Sequence, residues 1–553
     1  MTITVKDGVL SRYTCVPAAA AIPDGVTKIG ARVFCGSRRL RRVVIPDGVT
    51  RIGEEAFSRC AGLRSVTLPP SLTYIGRDAF AGCAALTEIV FPAGLAELGR
   101  GAFADCTGLT EIALPAGLTQ IGSGAFIGCL RLERFAVDPA NGCFAADGRG
   151  VLFSRDGGEL IAAPCRLGGA YAIPGGTTAI RDWAFRGCTA LTRVSVPDGV
   201  ERIGAGTFSG CASLRRADLP DSVAAVGWNA FGSCQALERL DLPAGLTALG
   251  SRALHDCVSL TEIALPAGVT ALEEETFGGC WHLRRVVLPA GLTRISGAAF
   301  EGCAALERID LPPRVGEIGR RAFENCQELT AVAVPGSVAA IGAGAFGGCA
   351  GLRELTVGPG VGDIGQEAFA GCVRLARAVL PDSVAALGER AFVGCAGLAE
   401  AVLPAGLTEI RAGLFGGCAA LAHVRIPAGV TGIGAYAFEG CAALAEIVLP
   451  AGVTGIGAYA FKDCAALTEV VLPDGTAKIG EGAFAGCAAL ARVVIPDSAA
   501  EIGAYVFIRC AALTEIAASE RWKRAHWNRA RLCGVTGRED RWAVSDTGVC
   551  ELP

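Results

Sequence analysis

The sequence predicts a repeat solenoid, and three observations support this fold class. A shift of 23 residues brings most of the 553-residue chain into register, giving twenty units. The segment AGVTGIGAYAF occurs at 428–438 and again, unchanged, at 451–461. Nineteen of the 23 Phe residues fall in one column of the repeat. Self-similarity at such a period is typical of stacked coils that share one continuous core.

Each position of the repeat has a physical task, seen in the unit CAALTEVVLPDGTAKIGEGAFAG that begins at Cys464. Leu467, Val470 and Leu472 follow a strand-like pattern with the apolar side chains inward. Pro473 lacks an N–H and ends the strand. A second short apolar segment ends at Gly480, which permits a turn. The Ala-Phe pair that follows indicates an interior stack of Phe side chains.

These columns resemble a known family. The pattern L-x-x-I-x-L-P…I-G-x-x-A-F-x-x-C at a 23-residue period is similar to the BspA-like, or Treponema pallidum-type, leucine-rich repeats, over about residues 22–518. The resemblance implies an α/β-type repeat solenoid, a curved array of about twenty 23-residue coils with a parallel β-sheet on the concave side. Known relatives are often surface proteins that bind host or matrix proteins, so the resemblance also implies protein recognition.

The only break in repeat phase divides the chain. Cys129 and Cys188 are 59 residues apart, one repeat plus an insertion of 36. We expect an N-terminal hairpin or cap at 1–21, repeat units 1–5 at 22–137, a hairpin insertion at 138–173, units 6–20 at 174–518 and a C-terminal cap with a short helix at 519–553. In the insertion, GVLFSRDGGELIAAP predicts a β-hairpin around Asp156-Gly157, and the N-terminal KDGVLSRY is similar to it.

The last segment is predicted to form a cap over the final coil. SERWKRAHWNRARLCG, at 519–534, has the pattern of an amphipathic helix, with Ser519 as N-cap and with Trp522 and Trp527. Large aromatic side chains suit the cover of an open hydrophobic core. Its basic residues leave an acidic partner as the alternative.

Cysteine is the most prominent feature of the composition. Nineteen of the 25 Cys residues occupy one repeat column. Disulfides and metal binding are the alternatives, but there is no C-x-x-C pair and only four His residues occur. Because free Cys is among the most buried residue types, we expect the column to lie in the interior.

Composition also restricts the classes of function. The net charge of −4 argues against a nucleic-acid partner. No apolar run reaches the length of a membrane helix, and MTITVKDG lacks the apolar core of a secretory signal. A cytoplasmic monomer is therefore favoured, with a cell-surface or secreted protein as the alternative.

Catalysis finds no support in the sequence. The four His residues are scattered, and no nucleophile, base and carboxylate recur together. The G-x-G-x-x-G match from Gly342 to Gly347 is repeat consensus rather than a dinucleotide fingerprint. We expect no enzymatic activity, no cofactor and no metal.

The face of the predicted sheet is the candidate binding surface, since strand side chains that miss the core point there. The second residue after the leading Leu is Arg in nine units and Glu in eight, and Asp follows two residues later in three of them. One interpretation is a solvated face balanced by salt bridges. The other is a polar groove for a protein partner, in a recognition scaffold or a surface adhesin; a structural spacer without a partner is the third alternative. The candidate residues are Arg193, Arg216, Asp218, Arg239, Asp241, Arg285, Arg308, Asp310, Glu354, Glu400, Glu446 and Glu469.

Overall fold

The computed structural model describes residues 2–519, 543–544 and 549–551. These residues form a parallel β-solenoid of about 22 turns of about 23 residues. The chain divides into two compact units, Met1–Val269 and Thr270–Pro553. The predicted domain boundaries, which follow repeat phase instead, stay predictions.

All the strands are short. In the first unit they are β1 Ile3–Lys6, β2 Val9–Tyr13, β3 Ala19–Ala21, β4 Lys28–Ile29, β5 Arg42–Val44, β6 Arg51–Ile52, β7 Ser65–Thr67, β8 Tyr74–Ile75, β9 Glu97–Leu98, β10 Glu111–Leu114, β11 Gln120–Ile121, β12 Arg134–Val137, β13 Phe144–Ala146, β14 Leu152–Ser154, β15 Glu159–Ala162, β16 Gly169–Ala172, β17 Ala179–Ile180, β18 Leu191–Ser195, β19 Arg202–Ile203, β20 Arg216–Asp218, β21 Ala225–Val226, β22 Arg239–Leu240, β23 Ala248–Leu249 and β24 Glu262–Ala264.

In the second unit they are β25 Ala271–Leu272, β26 Arg285–Val287, β27 Arg294–Ile295, β28 Glu317–Ile318, β29 Ala331–Val334, β30 Ala340–Ile341, β31 Glu354–Val357, β32 Asp363–Ile364, β33 Arg377–Val379, β34 Ala386–Leu387, β35 Glu400–Val402, β36 Glu409–Ile410, β37 His423–Arg425, β38 Gly432–Ile433, β39 Gly455–Ile456, β40 Glu469–Val471, β41 Lys478–Ile479, β42 Arg492–Val494, β43 Glu501–Ile502, β44 Glu515–Ala517, β45 Ala543–Val544 and β46 Val549–Glu551.

Most strands belong to one of two series. The A strands, such as β10 and β12, begin at or just after the leading Leu of a coil, and they pair in parallel, one coil apart. The B strands, such as β4 and β6, are two residues long, and a Gly follows sixteen of the twenty. A B strand occurs in each of the twenty repeat coils, although these strands are divided among five sheets, whereas three of the coils have no A strand. The second apolar segment of the repeat therefore forms the more regular ladder.

The α/β label was wrong, because no α-helix occurs in residues 2–519, 543–544 and 549–551. The segment between a B strand and the next A strand is a run of turns. Glu55 and Arg59, four residues apart in one such segment, have φ of 52° and 57°, and left-handed residues interrupt a right-handed helix. The Phe57 N–H, between them, donates to the carbonyl of Ala79 in the next coil at 2.7 Å. Backbone N–H groups that a helix would use for its own hydrogen bonds therefore donate to the next coil instead.

The core is a set of side-chain columns. Phe323, Phe346 and Phe369 are fully buried and stack with ring centroids 5.1 and 5.4 Å apart. The ring centroid of Tyr13 lies 5.0 Å from that of Phe34, at the start of the first Phe column. Stacked rings are what a column of Phe predicts for stacked coils, and the one repeat coil without a Phe has Leu254 in that position.

At the C-terminal end, β46 pairs antiparallel with the last A strand, β44, and β45 pairs with β46. The edge of the final A strand is therefore covered by chain that follows it. The predicted helix over 519–534, with Trp522 and Trp527, lies outside the described residues.

Candidate binding surface on the A strands

The A strands, and the matching segments of the three repeat coils in which no A strand forms, carry two outward columns of side chains, at the second and fourth positions after the leading Leu. We call these columns the A-strand surface. Glu446 and Val448 lie in one of the three segments without a strand. In-register parallel pairing stacks one residue per coil. Arg193, Arg216 and Arg239 are aligned in this way in β18, β20 and β22. Like charges directly opposite each other are unfavourable unless a counter-charge lies nearby.

Asp218 and Asp241 supply that counter-charge in the first unit. Asp218 accepts hydrogen bonds from Arg193 at 2.8 Å and from Arg216 at 2.6 Å. Asp241 accepts one from Arg239 at 2.8 Å. Burial alone would raise the pKa of Asp218, but its bonds to the two guanidinium groups lower the pKa below the ordinary value. The Arg cluster of the first unit is therefore largely neutralised within the chain.

We expect Asp218→Asn to destabilise the first unit by about 1 kcal/mol, since two guanidinium groups lose their shared carboxylate. The control is Asp241→Asn, which should have a smaller effect because Asp241 is 59% exposed and binds one Arg. Because the pKa of Asp218 is lowered on folding, its stabilisation is present above the ordinary carboxyl pKa and is lost as pH falls through the lowered one. Urea unfolding of both variants at two pH values measures the difference; equal effects would contradict the shared role of Asp218.

Two predicted Glu residues of the second unit are also paired. Glu400 lies 2.9 Å from Arg377, which is its neighbour on the adjacent A strand. Glu469 pairs with Arg492, which lies 2.9 Å from Glu515 on its other side. For these residues the structure agrees with a solvated face balanced by salt bridges.

The remaining candidates form no ion pair with any other described residue, and all of them lie in the second unit. Arg285 and Arg308 are aligned by an isolated β-bridge. Each of the five side chains is exposed: Arg285, Arg308, Asp310, Glu354 and Glu446. A partner can therefore use their charge without first breaking a bond within the chain.

The fourth-position column contains apolar residues that sequence reasoning missed. Val448 is 82% exposed, two residues after Glu446. The strict L-x-x-I-x-L alternation could have identified this column, because the residue between its last two apolar positions must point outward. Other exposed members in the second unit are Val287, Val379, Val402 and Val471.

The cysteine column lies on the inner side of the coils. Cys349 is fully buried, and its Sγ donates to the carbonyl of Phe323 in the preceding coil at 3.2 Å. Burial raises the pKa of Cys349 to about 12. The 23 Cys residues between positions 15 and 510 are free. The residues that the structure describes contain no cluster of three or more His, Cys, Asp or Glu that could hold a metal ion.

The architecture defines a class of protein, a parallel β-solenoid with a leucine-based repeat. The sequence model described as "BspA type Leucine rich repeat region (6 copies)" matches residues 21–141, 169–284, 270–399, 316–445 and 387–514. Since these ranges cover well over half of the chain, the protein belongs to the BspA-type leucine-rich repeat family, as the resemblance predicted.

Three solved structures to which this chain is similar are those of leucine-rich proteins. A leucine-rich repeat protein from Eubacterium ventriosum is 25% identical, with 58% of this chain and 91% of that chain covered and a TM-score of 0.52. The leucine-rich repeat protein of T. pallidum is 25% identical over 43% of this chain and 87% of that one, with a TM-score of 0.25. A leucine-rich cell surface protein from Faecalibacterium prausnitzii is 21% identical over 97% and 99%, with a TM-score of 0.19. The curated proteins include no match.

Proposed function

We propose that this protein is a non-enzymatic scaffold that recognises a partner protein through the A-strand surface of its second unit, centred on Glu446 and Val448. One observation carries the proposal. A carboxylate without an ion pair among the described residues stands beside a largely exposed Val side chain in the same coil. Protein interfaces combine an apolar centre with a polar rim, and exposed apolar side chains grouped on a surface mark such sites.

The neighbouring coils add one more exposed apolar residue and several polar or charged residues to this surface. Val471 is exposed on the following A strand, and Glu469 is held there by Arg492. His423 and Arg425 flank the centre on the preceding strand, where both are exposed. A partner with an apolar side chain over Val448 and a basic group toward Glu446 fits this pattern.

The same surface serves a scaffold inside the cell or an adhesin outside it. Within the described ranges, no helix has the length and hydrophobicity of a membrane span. The F. prausnitzii relative is described as a cell surface protein, and this description does not favour the cytoplasmic prediction. Fractionation of the source cell shows whether the protein is located inside the cell or at its surface, and so distinguishes the scaffold from the adhesin.

The test places a photo-crosslinking amino acid at Val448 and, as a matched control, at Glu409, an exposed residue of the B strand β36. Irradiation with the contents and surroundings of the source cell should attach a protein to the Val448 variant and not to the Glu409 variant. Purified partner should then bind Glu446→Arg at least tenfold more weakly, or about 1.4 kcal/mol, and bind Glu409→Arg normally.

Two results would contradict the proposal. Crosslinking that is equal at Val448 and Glu409 would indicate nonspecific contact. Absence of any crosslinked protein at Val448, with intact folding, would favour the structural spacer.

A further inference from the structure

The N-terminal hairpin starts the B ladder of the first unit. β1 and β2 pair antiparallel through the two-residue turn Asp7-Gly8, in which both residues have positive φ, 51° and 74°. Positive φ at both central positions is typical of a type I′ hairpin turn. β2 then pairs in parallel with β4, placing Leu10 opposite Ile29.

The insertion contains a second hairpin with the same pairing. β14 and β15 are antiparallel, and β15 pairs in parallel with β17, placing Leu160 opposite Ile180. Both hairpins have a register irregularity at the same place. It follows the pair Thr4–Arg12 in the first and the pair Leu152–Ala162 in the second.

This shared irregularity fixes the equivalence residue by residue. Val5 lies opposite Leu10, and Phe153 lies opposite Leu160, so Val5 corresponds to Phe153. By the same alignment, Thr4 corresponds to Leu152 and Lys6 to Ser154. The two hairpins are therefore copies of one structural module.

The copies differ at their outer edge. In the insertion, β13 pairs antiparallel with β14 and places Ala145 opposite Phe153. In the N-terminal copy, β1 is the last strand of its sheet among the described residues. The difference is visible in exposure, since Phe153 is 5% exposed and Val5 is 41% exposed.

The outer edge of β1 carries backbone N–H and C=O groups that point away from β2. The Thr2 carbonyl accepts from the Thr14 N–H at 2.9 Å, and Lys6 adjoins the two-residue turn, so these two residues direct their backbone toward β2. Backbone direction alternates along an antiparallel strand. The N–H and C=O groups of Ile3 and Val5 therefore point away from β2, as on any edge strand open to pairing.

The side chains around this edge are basic on one face and apolar on the other. Lys6, Val9, Lys28 and Arg51 form one row across four strands, because they pair in register. The three basic members of that row are exposed. Since side chains alternate between faces along a strand, Val5 lies on the face opposite Lys6.

We propose that the outer edge of β1 binds an extended segment of a partner protein as an added antiparallel strand, in the position that β13 occupies in the internal copy. The added strand has an apolar residue opposite Val5 and acidic residues opposite Thr4 and Lys6. Strand addition obtains affinity from main-chain hydrogen bonds and specificity from alternate side chains. This interface is distinct from the A-strand surface of the second unit.

The test titrates a fluorescent peptide with the core Thr-Glu-Val-Glu-Thr into the full-length chain and follows anisotropy. The matched peptide has the core Thr-Lys-Val-Lys-Thr. We expect saturable binding of the acidic peptide, at least tenfold tighter than the basic one, and slower deuterium exchange of the segment 2–8. Val5→Pro removes an outward N–H without touching the inward ladder, and it should weaken binding at least tenfold.

Lys6→Glu provides a second variant that keeps the whole edge intact. It should shift the preference toward the basic peptide, which a merely structural effect would not do. Equal binding to the wild type and Val5→Pro would overturn strand addition, and so would no binding of the acidic peptide to the wild type. A doubled molecular mass that Val5→Pro abolishes would overturn the partner in favour of a second copy of this chain.

Discussion

Phe346→Ala is expected to destabilise its coil and both neighbouring coils by about 3–5 kcal/mol. Phe346 is fully buried, and its ring stacks on Phe323 at 5.1 Å and on Phe369 at 5.4 Å. Removal of the ring leaves a cavity that the stacked coils cannot close, because the backbone spacing is fixed by hydrogen bonds between coils. One example is the bond from the Phe346 N–H to the carbonyl of Ala368, at 2.8 Å.

The effect should be local, because each coil of a solenoid contacts only its neighbours. Deuterium exchange should accelerate over about residues 316–392 and stay unchanged near Phe461. Val448→Ala is the control, since an exposed side chain away from the core changes stability by about 0.5 kcal/mol or less. Uniform acceleration along the whole second unit would contradict nearest-neighbour stability.

The columns of the core could be predicted from the sequence because one residue type recurs at one spacing. Burial of Leu, Phe and Cys follows from that period, and residues such as Leu375, Phe369 and Cys372 are fully buried as expected. In-register pairing also follows, since a strict 23-residue period leaves no other alignment of neighbouring coils. Stacking then determines most of the fold.

The absence of helix in the described ranges could not be predicted in the same way. It depends on left-handed residues, and many of them, such as Glu55, Arg59 and Tyr436, are not Gly. These residue types give no local signal for positive φ. Their conformation is imposed by hydrogen bonds to the next coil, which exist only once the coils are stacked. Tertiary context therefore overrides local preference here.

The outward direction of the candidate side chains follows from the repeat, whereas their ion pairs do not. The Arg and Glu column could be read from the repeat, yet which charges are paired depends on the neighbouring strands. Asp218 bonds to Arg193 of the preceding coil and Arg216 of its own. Glu446 has no such neighbour in the described part of the chain. Side-chain geometry across coils, rather than residue type, separates the two cases.

The ladder thiols are expected to resist alkylation in the folded protein, whereas Cys15 and Cys35, which are exposed, react at once. The thiolate is the reactive form of Cys. Burial raises the pKa of Cys60, Cys349 and Cys441 from 9.0 to about 12. At pH 8 this shift lowers the thiolate fraction by about a thousandfold, in addition to the steric protection.

A short pulse of iodoacetamide under reducing conditions, with each site read by mass spectrometry, measures the difference. Ladder sites from Cys60 to Cys487 should be labelled only after unfolding in urea. Cys510 is less buried, in the last repeat coil, and should be labelled before the others. Labelling of Cys349 at the rate of Cys35 in the folded protein would contradict the buried column.

The pH dependence of alkylation tests the burial of the ladder thiols independently. An unfolded thiol ionises near pH 9.0, whereas Cys60, Cys349 and Cys441 keep their protons to about pH 12 in the folded protein. The folded state therefore binds more protons than the unfolded state in this window, and stability falls as pH rises from 9 toward 12. Each of these three thiols contributes a slope of about 1.4 kcal/mol per pH unit. Alkylation of the ladder should begin as one cooperative transition above pH 9.

Cys349→Ala removes one ionising thiol and leaves a small cavity. The transition should move to higher pH if the stability that ionisation of Cys349 would cost exceeds the cost of the cavity. The matched Cys35→Ala should leave the transition in place. Ladder labelling that rises gradually and equally from pH 7, with no transition, would show that the thiols titrate in the folded protein and would refute the raised pKa.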